Sequence, residues 1–538
     1  MGFEYALVHL KYTIPPAVLL TLLYRPLFTK LDAYKIAVVA TIPWDSYLIR
    51  NRIWSYPTHV IVGPKLFEIP LEEVFFFVVQ TYNTSLLYLI LSKPTFQPVY
   101  LQAGRGASRR EWRYSRFVGQ VLLLAFILGL PWTNTVLPII LPTLYLWGVD
   151  TLALRRGTWV ISTGTKYGVH LWDGLEIEEA LFFLITNMLI VFGQLAFDNA
   201  LAVLYTFPKL FANPPLLPSP AILIRALLTP CSEYDDARLT GLKEAVHRLQ
   251  RKSRSFYLAS STFPGLLRTD LLLLYSFCRV ADDLVDNAST AREARDWIAK
   301  LHDFLDNVYS NTKSRPSVLE HIRSHFPADA QSALLQLPVA KLSPEPLRDL
   351  LHGFEMDLAF NTAPVIETEE DLRLYSERVA GTVAQMCIQL IFHLYPSNLT
   401  TEEQRKIVAA GNRMGVALQY INIARDVCVD AQIGRVYLPS KWLAEVGLTY
   451  NAVIDHPQEG RIESLRIRLL ENAFSLYEKA RGAIEQLPPE ASGPIRVAVE
   501  SYMEIGRTLR QGGFSLKAGR ATVPKWRRVM VAWRTLNE

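Results

Sequence analysis

Four cysteines are few for 538 residues, and Cys231, Cys278, Cys387 and Cys428 stand far apart. This excludes a disulfide-stapled scaffold and any C-x-x-C metal or redox pair, and leaves reduced, structural thiols. No G-x-G-x-x-G follows a strand pattern, and the "GRG" of Gly104–Gly106 lies in a basic loop. A dinucleotide fold, and with it a flavin, is therefore not expected. The start, "MGFEYALVHLKY", has no early basic cluster and no myristoylation Ser or Thr, so neither a cleavable leader nor that lipid is expected. A net charge of +5 gives no reason to expect nucleic acid as a partner.

Charge is also missing locally. Phe117–Val149 holds no Asp, Glu, Lys or Arg over 33 residues. As one helix it would rise about 50 Å, more than a bilayer core of roughly 30 Å, so two spans joined at Pro131–Asn134 are predicted. Tyr5–Tyr24, Ile36–Ile49, Val74–Ser92 and Ala180–Tyr205 are further spans, with Pro215–Leu228 as a seventh. Basic residues at Arg25, Lys30 and Lys35, in 104–116, and at Arg155 and Arg156 mark loops facing the cytosol. With seven spans the C-terminal half is cytosolic too, although Arg50, Arg52 and Lys65 then fall outside. The protein reads as integral to a lipid bilayer and multi-pass.

The apolar half repeats itself. "DSYLIRNRIW" at Asp45–Trp54 is echoed by "DTLALRRGTW" at Asp150–Trp159, and "PLEEVFFF" at Pro70–Phe77 by "IEEALFF" at Ile177–Phe183. The expected repeats cover about 1–100 and 115–210 within a membrane domain of residues 1–230. Repeats of three spans would have opposite orientations. From 231 to 538 the pattern changes to apolar residues at three- and four-residue steps, as in "LRIRLLENAFSLYEKARGAIEQL". The predicted fold is all-α throughout, a transmembrane helical domain followed by a helical second domain.

Within that second half, "CRVADDLVD" sets Asp282 and Asp286 four apart on one helical face, with Asp283 turned about 100° away. Two like charges on one face repel unless a cation lies between them, and Mg²⁺ or Mn²⁺ suits carboxylates that also meet phosphates. A lone acidic trio would ordinarily be a solvated turn. "NIARDVCVD" repeats the spacing with Asp426 and Asp430, and places Asn422 one turn earlier.

"YSFCRVADDLVD", "YSERVAGTVAQM" and "LQYINIARDVCVDAQIGRVYLP" resemble the signatures of the squalene/phytoene synthase family of head-to-head prenyltransferases, from about Gly241 to Arg520. The resemblance implies an isoprenoid-synthase fold in which Asp282, Asp286, Asn422, Asp426 and Asp430 bind Mg²⁺ with diphosphate. It implies that Gln419 lines the site, that Arg254, Arg279 and Arg425 grip phosphate oxygens, and that Tyr275 and Tyr375 stand near the reacting carbons. Glu355 and Asp357 match a further family stretch. The small residues of Val379–Val383 suit close helix packing. Cys428 and Val429 replace a Gly-Glu pair common in the family, which bears on fine geometry. The D-D-x-x-D pattern alone also fits chain-elongating prenyltransferases and terpene cyclases, which lack the other two stretches. Squalene synthases require NADPH and usually end in a membrane helix, whereas "KWRRVMVAWRTLNE" is too basic and short to span. The implied reaction joins two geranylgeranyl diphosphates to phytoene without NADPH.

The first 230 residues resemble the small membrane lycopene cyclases, on "PWDSYLIRNRIW", "PLEEVFFF" and "LEIEEALFF". As a whole the chain resembles fungal fusions of such a cyclase with a phytoene synthase, which implies lycopene and γ-carotene as further substrates. Ring closure begins with protonation of a double bond, so a carboxylic acid in a low-dielectric setting is needed. Glu72, Glu73, Glu178 and Glu179 are the first candidates, with Asp45 and Asp150 second. Acids in a helix's first turn also complement its dipole, which is the plainer reading. The alternative for this half is an anchor or carrier ahead of a squalene-synthase-like enzyme.

Overall fold

The computed structural model describes residues 3–40, 54–55, 60–66, 69–103, 132–158, 160–161, 167–310, 315–360, 365–511 and 523–537. The chain divides into two compact units, Met1–Leu239 and Thr240–Glu538.

In the first unit, Glu4–Leu27 (α1) is helical, with a π turn at His9–Thr13, and Lys30–Ala40 (α2) follows. Trp54–Ser55 (β1) precedes a hairpin of Lys65–Leu66 (β2) and Ile69–Pro70 (β3), which feeds Leu71–Ser92 (α3). The second half repeats this order. Trp132–Arg155 (α4) leads to Val160–Ile161 (β4), a hairpin of His170–Trp172 (β5) and Leu175–Glu176 (β6), and Ile177–Thr206 (α5). β1 pairs antiparallel with β4, and Ser55 faces Val160. Those two residues occupy equivalent places in the two repeats, so a local two-fold axis passes between them.

Four of these helices, α1, α3, α4 and α5, are long and apolar enough to cross a membrane. Without water to satisfy them, their interior polar side chains pair across helices. Thr84 Oγ1 donates to Asn187 Oδ1 at 2.7 Å, Asn187 Nδ2 to Thr143 Oγ1 at 3.1 Å, and Gln194 Nε2 to Ser85 Oγ at 2.9 Å. The proposed spans over Ile36–Ile49 and the start of Phe117–Val149 run into residues outside those described, as does the basic loop 104–116. Within Pro215–Leu228 only Pro220–Leu227 (α6) is helical. Eight residues rise about 12 Å, less than half a bilayer core, so this segment is no transmembrane helix.

The second unit is helical in all its described residues beyond short turns. In chain order its helices are Asp236–Lys252 (α7, begun in the first unit), Arg254–Ser260 (α8), Gly265–Asp286 (α9), Ala291–Tyr309 (α10), Arg315–His325 (α11), Ala328–Leu335 (α12) and Pro344–Ala359 (α13). They continue with Glu369–Ser376 (α14), Thr382–Leu394 (α15), Thr401–Gln432 (α16), Ser440–Glu445 (α17), Tyr450–Asp455 (α18), Gly460–Ala480 (α19), Pro489–Leu509 (α20) and Lys525–Asn537 (α21). A π turn, Glu377–Gly381, joins α14 to α15. Capping boxes at Thr368/Asp371 and Thr400/Glu403 start α14 and α16 by satisfying end amides. One apolar core, including Leu271, Leu274 and Phe277 of α9 and Ala417, Ile421 and Ala424 of α16, holds the unit together.

The long helix α16 packs on the π turn with almost no gap. A Cβ on Gly415 would lie 2.5 Å from the Ala380 carbonyl oxygen and 2.8 Å from Gly381 Cα. Backbone atoms cannot swing aside as a side-chain end can. Gly415→Ala is therefore expected to destabilise the protein by about 1–3 kcal/mol, read as a lowered apparent Tm of the detergent-solubilised chain. Gly482→Ala, with nothing within 4 Å, should leave the Tm in place. Equal behaviour of the two variants would refute the close approach.

Candidate functional site

α9 and α16 bring the two aspartate pairs to one site, and a third element joins them. α16 ends at Gly434, whose φ of +73° suits a left-handed helix terminator. The reversal returns Gly434 N–H to the Ala431 carbonyl at 3.0 Å and Arg435 N–H to the Asp430 carbonyl at 2.9 Å. Arg435 is thereby fixed beside the second pair, and its Nη2 reaches Asp286 Oδ1 of the first pair at 2.9 Å. Buried Asp357 of α13 accepts from Tyr437 at 2.8 Å and Tyr375 at 3.3 Å, whose rings stack at 4.9 Å.

The remaining candidates fall around this centre. Arg279 Nη1 pairs with Asp282 at 2.7 Å, and Arg425 clamps Asp426 with contacts of 2.6 and 2.8 Å. Asn422 donates to Gln419 Oε1 at 3.2 Å, while its own Oδ1 is buried without a partner. Tyr275 stacks on Phe256 at 5.7 Å. The side chain of Arg254 lies outside the described residues. Asp283, read from sequence as a bystander, pairs with both Arg279 and Lys252 and so positions two cations at the rim. Cys428 is buried, its sulfur 3.7 Å from the Pro457 carbonyl, and serves packing.

Crowding shows in the acidities. Burial and the charge of Asp286 push Asp282 up to about 7 against the pull of Arg279. Burial and Asp426 push Asp430 up to about 7, opposed by Arg435 and Arg425. Burial also raises Asp357 to about 6, countered by Arg435 and Tyr437. Carboxylates that resist ionisation together, beside an orphaned amide oxygen, form a hard-oxygen donor set that fits divalent cations.

In the first unit the four glutamates separate into two kinds. Glu72 Oε1 accepts Val62 N–H at 2.6 Å, and Glu178 Oε1 accepts Tyr167 N–H at 2.5 Å. These are equivalent contacts in the two repeats, each tying a helix's first turn to its own hairpin. Glu73 instead accepts the Tyr5 hydroxyl of α1; Glu72, Glu73 and Glu179 are all buried, and Glu178 is half-buried. His9, in the π turn, sets Nε2 2.9 Å from the Glu72 carbonyl and an edge against Phe75. Asp150 is buried in α4, and Asp45 lies outside the described residues.

Sequence reading missed Tyr5, His9, Arg435 and Tyr437. It also took Lys35 for an interfacial base, but Lys35 is only 3% exposed and binds Asp198 at 2.7 Å. Tyr88 donates to the same carboxylate at 2.6 Å and lies under the ammonium. Partners from α2, α3 and α5 satisfy a charge that could not otherwise be buried. The Gly-Arg after α16 was the available signal for one of these, Arg435.

The sequence model of the squalene/phytoene synthase family matches residues 249–527. Along its entire length the chain is 71% identical to a protein of Leptosphaeria maculans named bifunctional lycopene cyclase/phytoene synthase, with 100% of both chains covered. A protein of the same name from Pyrenophora tritici-repentis is 70% identical, again over 100% of each chain. Among solved structures, a dehydrosqualene synthase is similar at 26% identity with a TM-score of 0.45, over 55% of this chain and 95% of that one.

The raised acidities have a consequence with a definite sign. An exposed aspartate titrates at about 3.9, so between about pH 4 and 7 these three carboxylates hold more proton in the folded protein than in the unfolded chain. Their contribution to stability without metal falls as pH rises through that window. Chelator-treated protein is expected to show a lower apparent Tm at pH 8 than at pH 6, and added Mg²⁺ a larger rise at pH 8. Asp282→Asn with Asp430→Asn should flatten both trends. Equal Mg²⁺ effects at the two pH values would contradict the assignment.

Proposed function

The chain belongs to the bifunctional lycopene cyclase/phytoene synthases, and we propose that its two units divide the two reactions, with residues 1–230 as a membrane cyclase domain and 231–538 as the synthase. It is an enzyme of carotenoid biosynthesis, and its relatives carry both activities along their whole length.

The synthase unit condenses two geranylgeranyl diphosphates head to head through prephytoene diphosphate, releasing two diphosphates and two protons, one as the cyclopropane closes and one from the final cation. The observation that carries this reading is the convergence of Asp282 and Asp286 with Asp426 and Asp430 about Arg435 and Asp357. Asp282, Asp286, Asn422, Asp426 and Asp430 would hold Mg²⁺, which when bound neutralises the departing diphosphate. Arg279 and Arg425 hold the acids ready and turn to phosphate oxygens as substrate enters. Tyr275, Tyr375 and Phe256 offer aromatic faces to cationic carbon, and the apolar core excludes water. Proton loss ends the sequence, so no NADPH is required.

In the cyclase unit we assign different tasks to neighbouring glutamates. Glu72 and Glu178, each bound to a hairpin amide, anchor the fold. Glu73 and Glu179 protonate the terminal double bond of lycopene and, at a second end, γ-carotene. Tyr5 of α1 orients Glu73 through its hydroxyl, and His9 of the π turn holds the adjoining Glu72 carbonyl. Protonation, ring closure and proton loss conserve all atoms, so no flavin or reductant takes part. A multi-pass protein embedded in the bilayer meets these water-insoluble substrates where they dissolve.

In a bacterium supplying geranylgeranyl diphosphate, the chain should accumulate phytoene. Asp282→Asn or Asp426→Asn should abolish it, and unchanged phytoene would overturn the metal assignment.

In a lycopene-producing host, Glu73→Gln should slow formation of cyclic carotenoids by about 10²–10⁴-fold, the usual worth of a general acid, with phytoene synthesis intact. Glu72→Gln keeps an acceptor for Val62 N–H and should retain most cyclisation. The reverse ranking would refute the division of roles.

A further inference from the structure

One cluster of metal-binding side chains lies apart from both sites. On α10, His302 turns toward α13, which carries His352 and Glu355 three residues apart on one face. His352 Nδ1 stands 3.0 Å from Glu355 Oε2, and His302 Nε2 stands 4.0 Å from Glu355 Oε1. The imidazole centroids are 5.3 Å apart, and one ligand atom from each residue falls within a 4.8 Å circle.

We infer that His302, His352 and Glu355 form a second divalent-metal site that takes Zn²⁺ and staples α10 to α13. Two imidazoles and a carboxylate are the donors this borderline ion prefers, with a fourth position left for water. Zinc–ligand bonds of about 2.0–2.2 Å place tetrahedral ligands roughly 3.4 Å from one another. The two contacts use different oxygens of Glu355, and one ligand atom from each residue lies within 4.8 Å of the others, so side-chain rotations draw the three in to that spacing. Side-chain exposures of 27%, 42% and 51% give these groups room to rotate and leave a path from solvent. The nearby Arg348–Asp306 pair, at 2.8 Å, neutralises itself and leaves the cluster's own carboxylate to meet the cation.

The chemistry separates this site from the aspartate cluster. Mg²⁺ favours an all-oxygen shell, whereas imidazole nitrogen selects Zn²⁺, Ni²⁺ or Cu²⁺. Asp357 lies two residues beyond Glu355 on α13, about 200° around the helix, and so on its opposite side. A metal on the outer face would stiffen the helix that holds Asp357 inside.

The test uses full-length, detergent-solubilised protein, stripped by chelator and saturated with Mg²⁺ to occupy the aspartates. Zn²⁺ is then titrated in competition with a chromogenic zinc indicator. One Zn²⁺ per chain is expected, with affinity lowered at least about tenfold by His302→Ala or His352→Ala, as even outer-shell changes cost that much. Zn²⁺ should raise the apparent Tm of the parent protein and not of the double variant. Co²⁺ at the same site should give the visible absorption of a tetrahedral nitrogen–oxygen centre. Failure of the parent protein to bind, or equal stoichiometry and affinity in the double variant, would overturn the inference.

Discussion

Repulsion among crowded carboxylates is the constraint around which the second unit is organised. Asp282, Asp286, Asp357, Asp426 and Asp430 are drawn together by apolar packing of α9, α13 and α16, which takes no account of their charge. Arg435 makes the arrangement tenable, because it lies next to one pair through its backbone and next to the other through its side chain. Arg279 and Arg425 do the same for single acids.

The membrane unit meets the same difficulty by duplication. Each repeat ties the first glutamate of its pair to a backbone amide just before its hairpin, and the second glutamate is buried in both. The tether lets a charge-bearing residue sit at a helix start, where the dipole favours it. Pairing of Ser55 with Val160 on the local axis holds the halves in register. Lys35 and Asp198 supply a further lock of α2 on α5, deep among aromatic rings.

What could be read from sequence was local or repeated. The aspartate stripes were legible because i and i+4 share a helical face whatever the fold. The repeats were legible because two short strings recur. Arg435 was not, since its role depends on a chain reversal that brings residue 435 back to residue 286 across 149 positions. Tyr5 and Glu73, 68 positions apart, are likewise joined only by packing. Lys35 misled because charge at a span's edge ordinarily means water, and here it means an ion pair.

The turn at Gly434 has a bearing on how such a site changes over time. Because that glycine decides where α16 stops, it works as a ruler for the distance between the two acidic stripes. One added helical residue would rotate Arg435 by about 100° and advance it about 1.5 Å. An insertion before the glycine therefore retunes the whole centre, whereas one in the turn at 446–449, after α17, leaves that spacing unchanged. Length, rather than residue identity, is the variable under the tightest restraint there.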